Sequence, residues 1–91
     1  MTDSNLAPVA LFVYNRLDNT RRTLAALANN RLAPETELYI FSDGGRDERS
    51  WRAVNAVREY LHEFKRTAER DRCFHRVTII ERPENYYLER N

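Results

Sequence analysis

Two kinds of apolar pattern alternate along this chain. Pro8-Val9-Ala10-Leu11-Phe12-Val13-Tyr14 is a continuous apolar run of strand length, as expected of a buried parallel strand. Pro8 suits its first position, where a missing N–H costs least. From Asp18 the spacing becomes helical, with Leu17, Thr20, Leu24, Leu27 and Ala28 near one face. Asp18 or Asn19 is expected to cap the first turn. Asn29-Asn30 and then Ala33-Pro34 end this helix. Glu37 to Ser42 reads as the second strand. A second helix is expected from about Asp47 to about Arg66, because Trp51, Val54, Val57, Leu61 and Phe64 make one apolar stripe. Asp47 and Glu48 sit where the positive end of the helix dipole favours acids. Thr67 to Phe74 is polar and reads as a loop. Arg76 to Glu81 is a third, β-branched strand, broken by Pro83-Glu84-Asn85. Tyr86 to Asn91 has the pattern of a third helix beginning.

The order β-α-β-α-β predicts an α/β fold with a parallel sheet and right-handed crossovers. A doubly wound half of this kind has strand order 3-2-1, and a parallel sheet wants cover on both faces, which makes three layers. Strand 1 is then left on an edge. Residues 1–91 are therefore expected to form a single portion of a longer domain, with further strands on the side of strand 1.

Composition narrows the picture. Hydrophobic content of 42% is ordinary for a globular chain. A chain of 91 residues buries roughly 60–65% of its unfolded surface. The net charge of +1 gives no electrostatic case for nucleic acid or an anionic membrane. Fourteen of the fifteen basic residues are Arg, with Lys65 the exception, and no function follows from that. The single Cys73 excludes an intrachain disulfide framework and a Cys-only zinc site. No apolar run approaches the roughly 20 residues that span a membrane, and Met1 to Asn5 lacks the features of a signal peptide. A cytoplasmic location is the expectation.

The chain's only two glycines, Gly44 and Gly45, follow Ser42-Asp43 at the end of strand 2. They free the backbone for a tight turn or for close approach to a ligand. In open α/β sheets, ligands bind beyond the carboxyl ends of the strands. Three such ends share one edge here. Strand 1 delivers Tyr14-Asn15-Arg16, strand 2 Asp43-Gly44-Gly45, and strand 3 Arg82-Pro83-Glu84-Asn85. Together they offer an apolar wall, a cation, an acid and open backbone, the groups a uridine nucleotide needs. Taken singly, Asp43 reads as a turn former, Arg16 as a solvated arginine and Asn85 as a helix cap. The case rests on the shared edge.

Other chemistries lack their signatures. There is no Gly-x-Gly-x-x-Gly and no P-loop. No acidic cluster follows strand 1, as a phospho-receiver domain would need. His62 and His75 share no metal-ligand spacing. Ser42 and Ser50 lack a nucleophile elbow. Glu69-Arg70-Asp71 reads as solvated charge in a loop, and Trp51 as a core or helix-face anchor.

Four segments carry a resemblance. Pro8 to Arg16, Thr23-Leu24-Ala25-Ala26-Leu27, Ser42-Asp43-Gly44 and Arg82-Pro83-Glu84-Asn85-Tyr86 make the chain similar to the N-terminal part of a GT-A nucleotide-diphospho-sugar transferase. The resemblance is to bacterial family 2-like proteins related to N-acetylglucosaminyltransferase I. It covers nearly the whole chain. It implies a Rossmann-like, nucleotide-binding half in which Asp43 contacts the uracil or ribose of a UDP-sugar. Tyr14, Asn15 and Arg16 would line the base pocket, with Gly44 beside them. Asn85, and with it Arg90, would approach the nucleotide after strand 3.

The chain also departs from that family. After Glu84-Asn85-Tyr86 the family has Gly-Leu-Ala; here Tyr87 replaces the glycine and Glu89 replaces a small residue, placing a bulky ring and a carboxylate in the third contact region. The family's Asp-x-Asp motif, which holds Mn²⁺ or Mg²⁺ against the diphosphate, does not occur in this sequence. A metal neutralises a diphosphate leaving group as its charge develops, so a full-length enzyme is expected to use Mn²⁺ or Mg²⁺ and this chain none. The expectation is a UDP-sugar-binding portion of a glycosyltransferase without transfer activity alone. The alternative is a non-enzymatic α/β binding module, or a homodimer paired through the exposed sheet edge. A plain α/β domain, in which Asp43 only shapes a turn, is the third.

Overall fold

The computed structural model of the chain describes residues 7–84. Its elements are β1 (Val9–Val13), α1 (Leu17–Ala28), a 3-10 turn at Ala33–Glu35, β2 (Glu37–Ser42), α2 (Glu48–Arg70) and β3 (Arg76–Glu81). The strands form one parallel sheet in the order β1-β2-β3, equivalent to 3-2-1. Val9 lies beside Leu38, Val13 beside Ser42, Leu38 beside Val77 and Ser42 beside Glu81.

That register divides the side chains between two faces, because neighbours in a strand point oppositely. Val9, Leu11, Val13, Leu38, Ile40, Val77 and Ile79 face the helices and form one core with Leu24 of α1 and Val57, Leu61 and Ala68 of α2. Both helices therefore lie on one side of the sheet, and two of the three expected layers are present among the described residues. The opposite face carries Ala10, Phe12, Tyr39, Phe41, Thr78 and Ile80. There Phe12 stacks on Phe41, with ring centroids 4.9 Å apart and planes 14° from parallel. The Arg82 guanidinium lies 5.6 Å from the Phe41 ring centroid, and Phe12 is 57% exposed.

Helix α1 starts one residue before the expected cap. Arg16, with extended backbone (φ −108°, ψ 91°), is its N-cap and makes no side-chain cap bond. Asp18 and Asn19 thus fall inside the first turn, where Asp18 acts through the helix dipole alone. Asn29 closes the helix through its N–H, 3.2 Å from the Ala25 and Ala26 carbonyls.

Helix α2 starts as its acids suggest. The Asp47 carboxylate accepts from the Ser50 N–H at 2.8 Å, while Ser50 Oγ accepts from the Asp47 N–H at 3.0 Å. This is a reciprocal capping box. The Ser50 N–H holds the Asp47 carboxyl below its usual range. At the other end the helix runs past Arg66 to Arg70, so the expected loop is partly helical. The physical reason is a Schellman closure without glycine. The Cys73 N–H reaches the Ala68 carbonyl at 2.8 Å and the Arg72 N–H reaches Glu69 at 3.3 Å. Ala68 and Cys73 both pack on the core. Arg72 adopts φ 59° to make this turn, a conformation that favours glycine.

Glu69 is likewise a structural residue of the helix. Its carboxylate accepts from Lys65 Nζ at 3.0 Å and from the Val77 N–H at 3.1 Å. Lys65 Nζ also donates to the Val77 carbonyl at 2.7 Å. The two side chains thereby occupy both backbone groups that Val77 turns to the outer edge of β3.

The hydrogen bond from Lys65, and then that from Val77, hold the Glu69 carboxyl below its ordinary 4.5. The fold binds the carboxylate form, so this contribution is complete above about pH 4.5 and is lost as pH falls through the lowered native value. Urea unfolding between about pH 6 and about pH 3 is expected to show a steeper acid loss in the wild type than in Glu69→Gln. Parallel curves would show that the contact stabilises nothing.

Candidate functional site at the carboxyl edge of the sheet

The three strand ends converge as their sequence order implies, and backbone hydrogen bonds join them. The Asp43 N–H donates to the Val13 carbonyl at 3.0 Å, which ties β2 to the end of β1. The Gly44 N–H donates to the Glu84 carbonyl at 3.1 Å, and the Arg82 N–H to the Ser42 carbonyl at 2.9 Å. These tie β2 to the segment leaving β3. Asp43 is only 6% exposed. Its Oδ1 accepts from the N–H of the next residue, Gly44, at 3.1 Å.

Among the expected site residues, Tyr14 and Asn15 are half-buried and Arg16 is exposed. Leu11, Val13, Tyr14, Arg16, Asn19 and Thr20 border a cavity of about 190 Å³ between β1 and α1. Asp43 lies one strand across, beyond Val13. The structure thus places Tyr14 to Arg16 and Asp43 to Gly45 on one edge, with that cavity on the β1 side. Asn85, and the expected helix from Tyr86, lie outside the described residues.

The glycines have a different cause from the one expected. Neither adopts a positive φ, so no tight turn requires them. Close approach does, and the chain itself makes it. A Cβ on Gly44 would lie 2.6 Å from the Glu84 backbone nitrogen, and one on Gly45 would lie 2.6 Å from Cγ of Trp51. Trp51 is therefore an anchor of the helix face, as its spacing suggests, and its ring packs on the Gly45 backbone.

One residue at this edge escaped the sequence reading. Arg58 projects from α2 to the ends of β2 and β3, and its side chain is 14% exposed. Its Nε donates to Ser42 Oγ at 2.9 Å. Its Nη2 donates to the carbonyls of Arg82 at 2.7 Å, Ser42 at 3.1 Å and Asp43 at 3.4 Å. The guanidinium carbon lies 5.2 Å from the Trp51 ring centroid. A signal was present: position 58 lies four residues after Val54 and three before Leu61, so an arginine interrupts the apolar stripe. Beside it, Glu81 takes a hydrogen bond with His62 Nε2 at 2.6 Å, an exposed pairing at the outer end of β3.

Among the described residues, no three His, Cys, Asp or Glu side chains gather where they could hold a metal ion. No described helix is long and apolar enough to cross a membrane. Compared with models of known protein families, with curated proteins and with solved structures, the chain matches none of them.

The contacts at the two glycines have separable consequences. Gly44→Ala and Gly45→Ala are each expected to destabilise the fold by about 1–3 kcal/mol through overpacking. The Gly45→Ala cost should shrink on a Trp51→Leu background, because a side chain is what the new methyl meets. The Gly44→Ala cost should persist there, because it meets backbone. A double-mutant cycle by urea unfolding measures both, and additive costs for Gly45 and Trp51 would contradict their packing.

Proposed function

We propose that this chain is the sugar-nucleotide-binding portion of a GT-A-type glycosyltransferase, and that it takes the uridine diphosphate part of a UDP-sugar. One observation carries the reading. A nearly buried carboxylate, Asp43, sits just beyond the central strand at the carboxyl edge of a parallel sheet, where α/β folds take ligands. Of the segments that resemble GT-A enzymes, Tyr14 to Arg16, Ser42 to Gly44 and Arg82 to Glu84 come to this edge, while Thr23 to Leu27 lies in α1. In this reading the Asp43 carboxylate accepts from the uracil N3–H or a ribose hydroxyl. Tyr14 and Asn15 flank the base, and Arg16 adds positive charge for phosphate.

No transfer step is assigned to this chain, because the Asp-x-Asp motif of the resembled family does not occur in its sequence. The Mn²⁺ or Mg²⁺ of the resembled family, and the acceptor, would belong to residues beyond those described. Gly44 takes part through its backbone position rather than a free amide, since its N–H is directed to Glu84 and Asp43.

Amide NMR of the full chain with UDP, with and without Mg²⁺, tests the reading. Shifts concentrated at Tyr14 to Arg16 and Asp43 to Gly45 are expected at millimolar UDP. A folded spectrum that UDP leaves unmoved would overturn it.

A second reading, a non-enzymatic module that dimerises through a sheet edge, is favoured by the difference between the two edges. Lys65 and Glu69 occupy the outer backbone groups of Val77 on β3. The Val13 carbonyl turns to β2, so alternation along the strand turns the N–H and C=O of Ala10 and Phe12 outward on β1. Val9–Val13 holds no charge to oppose self-pairing. Under this reading sedimentation shows a concentration-dependent dimer that Ala10→Pro abolishes, since proline removes an outward N–H. A monomer at every concentration would remove it.

A further inference from the structure

Arg58 is well placed to do more than fill space. Its side chain comes from the helix side of the sheet; Nε and Nη2 turn to the strand ends, while Nη1 faces Glu81 Oε1 at 3.9 Å. Nε and Nη2 lie on one side of the guanidinium fork and meet Ser42 Oγ and the carbonyls of Ser42, Asp43 and Arg82. The Ser42 carbonyl also receives the Arg82 N–H. The fork therefore fastens the last residue of β2, the residue after it and the first residue beyond β3 to one rigid planar group. The Trp51 ring, which packs on Gly45, covers the same guanidinium.

These contacts surround Asp43 and Gly44 from behind. The Asp43 carbonyl faces Arg58, so the peptide plane that leads into Gly44 is oriented by it. Arg82 begins the segment whose Glu84 carbonyl meets the Gly44 N–H. We propose that Arg58 is the positioning residue of the nucleotide site: it sets the direction of the Asp43 carboxylate and the spacing between the Asp43–Gly45 turn and the Arg82–Glu84 segment. This inference rests on the nucleotide reading above for its ligand, but not for its geometry. Lysine cannot replace it, because one ammonium on a flexible stem does not span a hydroxyl and three carbonyls in fixed relation.

Three variants of the full chain test this, with amide spectra recorded before and after addition of UDP. In Arg58→Lys the charge remains and the fork is lost. The Asp43, Gly44 and Gly45 amides should move without ligand, and UDP binding should weaken about tenfold, as expected for loss of a multidentate arginine. In Arg58→Ala, added methylguanidinium should return those amides toward their wild-type positions and restore UDP binding, a rescue that general loss of packing would not give. Ser42→Ala removes only the Nε acceptor and should move the same amides by less. If Arg58→Lys does not fold, Ser42→Ala decides on the same two readouts. Unmoved Asp43–Gly45 amides with wild-type UDP binding in Arg58→Lys would overturn the proposal. If the wild type binds no UDP, the nucleotide reading fails, and the ligand-free amide displacements still decide whether Arg58 positions this turn.

Discussion

The Arg58 guanidinium is the interaction on which the carboxyl edge of this sheet depends. Holding an ion with 14% of its side chain exposed is costly, several kcal/mol for a group well removed from water. Hydrogen bonds to a charged donor contribute about 1.5–3 kcal/mol each. Arg58 makes three at 3.1 Å or less. These bonds offset the desolvation of the ion. What it does is decide geometry. Without it Ser42 Oγ and the carbonyls of Ser42, Asp43 and Arg82 would lose the donor they share, and breaking a hydrogen bond to a charged group costs about 1.5–3 kcal/mol. The contact is thus expensive to break, which is how a fold selects one arrangement of an edge.

The same helix protects the sheet in two places by two means. Near its start, Trp51 and Arg58 fasten the carboxyl edge. Two turns on, Lys65 and Glu69 occupy the outer groups of Val77. Both pairs lie on α2, the longer helix, whose stripe of Val54, Val57 and Leu61 is fully buried. Burial of that stripe fixes the rotation of the helix, and the rotation aims the polar side chains that flank it. Helix α1 contributes Leu24 to the same core but places no comparable polar group on β1. The chain therefore guards β3 and leaves the outward groups of β1 without a described side chain over them.

Much of this was legible in the sequence. β2 and β3 fall where their apolar runs lie, because a strand buried on the helix face must be continuous through the core. The start of α2 was legible because Asp47 and Ser50 carry out a local reaction to the helix end that needs no tertiary partner. Its last turn was not, because Arg72 takes the left-handed position that a glycine normally announces, and only the docking of Ala68 and Cys73 makes that turn favourable. Arg16 begins α1 without a capping side chain, so no polar residue marks the start. Arg58 was readable only as an exception within a stripe, since its partners are backbone carbonyls that carry no sequence identity. Glu69 was misplaced for the same reason: its partners are a lysine one turn back and an amide on β3.

The glycine pair shows how far local signals can be trusted at a candidate site. Two adjacent glycines after a strand look like room for a ligand, yet here the space is taken by the Glu84 backbone and the Trp51 ring. What remains for recognition is therefore not open backbone. In the proposed site it is the Asp43 carboxylate, held in a nearly closed turn, together with the half-buried Tyr14 and Asn15 one strand away. A site of that kind discriminates by direction, because a rigid acceptor rewards a donor only along its lone pairs. It also relies on everything that fixes the turn. Under the proposed nucleotide reading, the glycines, Trp51 and Arg58 would serve recognition without touching a ligand, by fixing the turn that carries the carboxylate. A turn that is fixed before a ligand arrives costs less to order when one binds. For a three-stranded sheet with a small core, rigidity concentrated at this edge is what the proposed role of Asp43 as a specific acceptor would draw on.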